Sequence, residues 1–143
     1  MLKNFVKLFQ ESFNSIVYHT PKDKLNNLEI EKIKQNGLIH FCKSENIKDI
    51  LREGIKSGCH EPMKRAEKGY TWYYIYEPET FEEKKKIIHS KGERKNYNAY
   101  VIIKGLTEKQ INQLRIRRKV DNAIIYPGSM KTEIIEAHIM NKR

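Results

Sequence analysis

The stretch from Leu38 to Gly54 constrains the fold more than any other, because its apolar period changes within a few residues. Leu38 to Cys42 is a short unbroken apolar run of strand length. Ser44 then caps a helical pattern in which Ile47, Ile50 and Leu51 share one face until Gly54 stops it. Strand, turn, helix and glycine in so few residues leave no room for long elements. The same punctuation recurs along the chain. Leu28, Ile30 and Ile33 predict a short helix ended by Gly37, and residues 71–76 have the β-branched and aromatic content of a strand closed by Glu77 and Pro78. A helix is expected from Pro78 through Phe81 to Ile88. Residues 99–103 predict the next strand, and Thr107 with Gln110 forms a capping box opening a helix with Ile111 and Leu114. Two strands follow, over residues 123–126, stopped by Pro127 and Gly128, and over the alternating residues 132–140. Residues 58–69 and 89–98 read as polar loops. Short helices between strands, with hairpin-like ends late in the chain, predict an α+β domain with mixed, mainly antiparallel sheets.

The 143 residues fit one domain, 1–143, with residues 1–36 as an N-terminal helical segment packed on it. In that segment Leu2, Phe5, Val6, Phe9, Phe13, Ile16 and Val17 form an amphipathic stripe interrupted by Lys7 and Glu11. The stripe suits a face packed on the core; a basic amphipathic helix lying on a membrane is the other reading, and a spanning helix fits neither. Cys42 and Cys59 have neither the spacing of a zinc site nor the number for a disulfide framework, so a reduced, cytoplasmic setting is expected. Lys and Arg total 28 against 18 Asp and Glu, and the net charge of +10 draws such a protein toward polyanions.

The common nucleotide-binding, metalloprotease and serine hydrolase motifs are all absent. Chemistry must then come from a dispersed set: His40 near the end of a strand, Tyr73 and Tyr74 in the aromatic strand, and Glu133 opening the last strand. Each has an ordinary reading as well. His40 can be a hydrogen-bonded strand-end histidine, the tyrosines can be cross-strand packing, and Glu133 can be a solvated carboxylate.

The run Leu38-Ile39-His40-Phe41, followed by Ser44, Asn46-Ile47, Ile50-Leu51 and Gly54-Ile55, resembles the opening pattern of ADP-ribosyltransferases, above all the DarT-like DNA-targeting toxins. Trp72-Tyr73-Tyr74-Ile75 before Pro78 resembles their aromatic strand, and Glu133 resembles their catalytic glutamate. The resemblance implies an NAD-binding cleft between the sheets, with NAD as substrate and no metal. It implies that His40 holds a ribose hydroxyl, Tyr73 stacks on nicotinamide with Tyr74 as the alternative, and Glu133 orients ribose and assists the acceptor. Arg65 would contact a cofactor phosphate. Lys131 stands where arginine-modifying members carry Glu or Gln, so arginine is a poor acceptor, and no Ser-Thr-Ser-like strand is found, which favours the H-Y-E type.

The basic clusters Lys84-Lys85-Lys86, Arg94-Lys95 and Arg115, Arg117, Arg118, Lys119 are read as exposed, the last at a helix end. With Trp72 and the tyrosines they make DNA or RNA the expected partner, and a toxin or phage-conflict setting implies an antitoxin protein; no membrane is expected. Two other functions stay open. One is a metal-independent ribonuclease toxin using His40 with His60 or His89 as acid and base; the other is a non-catalytic nucleic-acid-binding module.

Overall fold

In the computed structural model, residues 22–57, 69–89 and 97–140 are described. The N-terminal stripe, Cys59, His60, Arg65, Arg94 and Lys95 lie outside them. Helix α1 spans Asn27–Asn36 and begins with a full capping box: Asn26 Oδ1 accepts from the Glu29 amide at 2.8 Å, and Glu29 Oε1 accepts from the Asn26 amide at 2.8 Å. Its Ile33 is buried whereas Leu28 is 66% exposed, so the stripe expected on this helix is narrower than the sequence suggested. Gly37 ends it and leads into strand β1, Leu38–Cys42.

A 3-10 turn over Ser44–Asn46 and helix α2, Ile47–Glu53, follow, with Gly54 as C-cap. Ser44 is not the helix cap expected of it. Its amide donates to Asn98 Oδ1 at 2.7 Å and its Oγ accepts from Asn98 Nδ2 at 3.0 Å, which pins this turn to the start of a later strand. Ile50 faces the core, while Leu51 is 53% exposed. Strand β2 is Tyr70–Ile75, helix α3 is Phe81–His89 and strand β3 is Ala99–Lys104.

Helix α4, Glu108–Gln113, starts at the Thr107–Gln110 capping box as expected. It stops early. Leu114 turns extended and Arg115–Arg117 form strand β4, which no turn residue announces. Asp121 and Asn122, at φ 54° and 58°, make the tight connection to strand β5, Ala123–Pro127, with the Ala123 amide donating to the Val120 carbonyl at 3.0 Å. Both central residues of such a turn need positive φ, which Asp and Asn tolerate better than most. Strand β6, Ile134–Ile139, is last.

The strands form a single six-stranded sheet in the order β4-β5-β2-β1-β3-β6, and each pairing is antiparallel. The α+β class therefore holds, and the mixed sheet is corrected to an antiparallel one. Alternate residues feed two apolar layers. Leu38, Cys42, Tyr73, Val101, Ile103, Ile116 and Ile124 lie on the first face with Ile33 of α1 and Ile50 of α2. Ile39, Phe41, Tyr74 and Ile102 lie on the second with Phe81 of α3. Among the described residues no helix is long and apolar enough to cross a membrane.

From the β4–β5 turn, Arg118 grips Glu29 of α1 with both terminal guanidinium nitrogens, at 2.9 and 3.1 Å. This hydrogen bond, foremost, holds the Glu29 carboxyl below its ordinary 4.5, against a partial opposing effect of burial. A depressed folded-state value stabilises the fold above the ordinary carboxylate range, and that stability is lost as pH falls through the folded value. Glu29→Gln, which keeps the capping geometry and loses the charge, is expected to be less stable than wild type at pH 7. The gap should close as acid protonates Glu29, read from urea midpoints across pH; a gap that persists undiminished below the carboxylate range would refute the role.

Candidate functional site

His40 sits where the sheet forks. Strand β1 pairs with β3 along its whole length, from Leu38↔Ile103 to Cys42↔Ala99. Against β2 it pairs only at Leu38↔Ile75 and Ile39↔Tyr74. The first four residues of β2, Tyr70 to Tyr73, are instead engaged on its other edge by β5. Beyond Ile39 the two strands part, and the ladder bond lost there is replaced by a side chain: His40 Nδ1 lies 2.8 Å from the Trp72 carbonyl oxygen. A carbonyl only accepts, so Nδ1 carries the proton, and Nε2 is the ring nitrogen that accepts whenever the imidazole is neutral. The ring is half-buried and lies 5.6 Å from that of Tyr73, tilted by 50°.

Tyr73 shares the first face with His40 and is fully buried. Its hydroxyl donates to Thr71 Oγ1 at 2.8 Å, and Thr71 Oγ1 donates to the Gly128 carbonyl at 3.1 Å, so both buried hydroxyls are satisfied. Burial, foremost, drives the phenol further above its usual range, so it works only as a neutral donor. Its ring belongs to the core, and stacking on a ligand would require that layer to open. Tyr74 points to the opposite face, 6.2 Å from Phe41 in an edge-on contact. Cys42, also buried, has its thiol pushed up to about 11 by desolvation, which keeps it from acting as a thiolate near neutrality.

Glu133 is exposed and precedes β6, two strands beyond β1. His40 is level with Val101 and Ala137, four residues along β6 from Glu133. At ordinary sheet spacings the two backbones are then roughly 17 Å apart. The structure brings His40 and Tyr73 together and leaves Glu133 apart from them.

The basic clusters divide on inspection. Arg117, expected on an exposed helix end, is in β4 and fully buried, with its guanidinium carbon 5.3 Å from the centre of the Trp72 ring. Arg118 is engaged with Glu29, and Arg115 donates to the Asn112 and Leu114 carbonyls at 2.8 and 2.7 Å, closing the end of α4. Lys84 and Lys32 both contact Glu77, at 2.8 and 3.2 Å, and Lys84 foremost holds that carboxyl below its usual range.

One feature escaped the sequence. On the second face an aromatic ladder crosses the sheet: Tyr76 stacks on Phe81 at 5.5 Å, Phe81 meets Tyr100 at 4.9 Å, and Tyr100 stacks on His138 at 5.0 Å and 19°. Its members come from separate elements, and only the register Tyr100↔His138 reveals their alignment. Among the described residues no group of three or more His, Cys, Asp or Glu is placed to hold a metal ion. No family model, curated protein or solved structure matches the chain.

Proposed function

We propose that the chain binds NAD at the fork between β1 and β2 and transfers its ADP-ribose to a macromolecular acceptor, a nucleic acid. The observation that carries this reading is His40 held at the fork by the Trp72 carbonyl beside Tyr73, since that bond orients the ring and, in the neutral imidazole, makes Nε2 the nitrogen that accepts from a ribose hydroxyl. The net charge of +10 supports a polyanionic acceptor. In the reaction the bond between ribose and nicotinamide breaks and nicotinamide leaves as a neutral base. The ribose carbon, positively charged on the way, is attacked by the acceptor, which releases its proton. A carboxylate near that carbon lowers the barrier, and the resemblance assigns the role to Glu133.

A second reading has a specific observation in its favour. The distance of Glu133 from His40 and the full burial of Tyr73 suit a basic binding module without turnover. Incubation with labelled NAD and single-stranded DNA, RNA or protein separates the two. The transferase labels an acceptor, and Glu133→Gln lowers labelling on the order of 100-fold if its carboxylate serves the reaction centre. Labelling unchanged by Glu133→Gln but lost in His40→Ala would keep the fork and move the carboxylate elsewhere. No labelling of any acceptor would leave the binding module.

A further inference from the structure

The two edges of the sheet are treated differently. Strand β4 has only three residues, and its outer side is occupied at Ile116, whose amide and carbonyl bond Asp23 at 2.8 and 3.0 Å. Strand β6 has six residues, and among the described residues no strand lies on its outer side. A long open edge is a template for another strand. It also exposes apolar side chains: Ile139 is 70% exposed and Ala137 is exposed, on the face that Ile135 shares.

We infer that β6 is the contact surface for a second copy of this chain, pairing antiparallel about a two-fold axis through Ala137 to join the two sheets. What selects a second copy over a foreign strand is the self-complementarity of the segment. With Ala137 facing the partner's Ala137, Ile135 lies opposite the partner's Ile139 on one face, and Glu136 lies opposite the partner's His138 on the other. Each pair occurs twice by symmetry. A slip of two residues in one direction sets Glu136 against the partner's Glu136; in the other it sets His138 against the partner's His138. Both slips exchange the Ile135–Ile139 pairs for smaller pairs of isoleucine with Ala137, so the sequence favours one register. Glu136 and His138 lie within 3.9 Å of each other and, although Glu136 also reaches Lys104 at 3.5 Å and His138 stacks on Tyr100, both stay about half exposed and open to a partner strand.

The net charge of +10 on each copy opposes association, so self-association should strengthen as salt screens it, opposite to binding of a polyanion. Sedimentation velocity over a concentration series at two salt concentrations tests the surface. A dimer is expected, with a dissociation constant at or below about 100 µM at physiological salt. Ile139→Lys should weaken it by tenfold or more, because it sets an ammonium against the partner's Ile135. Glu136→Lys should also weaken it, and adding His138→Glu to that variant should restore it by returning opposite charges to the pair. Because these side chains are exposed, circular dichroism of each variant should match wild type. A chain that stays monomeric throughout, or a dimer indifferent to Ile139→Lys, overturns the proposal, as does failure of His138→Glu to rescue Glu136→Lys.

Discussion

Gly37→Ala is expected to lower the stability of the chain by about 3 kcal/mol or more, since two separate penalties fall on one methyl group. The first is conformational. Gly37 has φ 89° and ψ −167°, a region that residues with a Cβ rarely enter. The second is steric, because a Cβ there would overlap the Ile103 carbonyl oxygen and come within 2.9 Å of Lys104 Cγ. Strand β3 cannot retreat cheaply, being paired on both sides by β1 and β6. Nor can Gly37 move alone: its amide donates to the Ile33 carbonyl at 2.8 Å and its carbonyl accepts from Tyr76 at 3.0 Å. Gly128 provides the control, since it has φ 105° but nothing within 4 Å of a built Cβ, so alanine there costs only the backbone strain. Urea unfolding of the two variants is the measurement. Equal losses at the two glycines would mean that the close approach to Ile103 contributes nothing.

Arg117→Ala should cost about 2–5 kcal/mol, the range for truncating a large side chain in a packed interior. The side chain is fully buried, and its guanidinium lies over Trp72. Alanine would leave a void beside the indole and remove the cation from its face. Trp72 is the one tryptophan, so its emission reports the change directly. Arg118→Ala is the contrast. That side chain is 44% exposed and leaves no void when truncated, so losing its pair with Glu29 should cost clearly less than Arg117→Ala. A small loss in Arg117→Ala with unaltered fluorescence would contradict the burial.

Which parts of this fold were legible follows from how local their causes are. The capping box at Thr107 and Gln110, the glycine stops at Gly37 and Gly54 and the strand bounds near Pro127 are decided by neighbours in sequence, and they stand where the residues placed them. Strand β4 was hidden because Arg115-Ile116-Arg117 continues the helix before it without a breaker; its extended form comes from pairing with β5. Long-range pairing also decides the burial of Arg117, which the count of basic residues could not foretell. At the site, His40 and Tyr73 were legible as residue types, but the fork that joins them arises from β2 sharing its two edges between β5 and β1. The position of Glu133 depends on β6 taking the far edge beyond β3, a choice of strand order that alternation along one strand does not contain.

The central claim, that the fork is an NAD site, is tested most directly by titrating NAD into the wild-type chain and the His40→Ala variant by calorimetry. The account predicts saturable binding to wild type. It predicts binding about tenfold weaker or worse in His40→Ala, since the ribose loses its acceptor and the Trp72 carbonyl loses its donor. Circular dichroism and urea midpoints of the variant distinguish that loss from unfolding. Equal affinity in the two proteins, or no binding by either, would contradict the claim and leave His40 as the side chain that fastens β1 to β2.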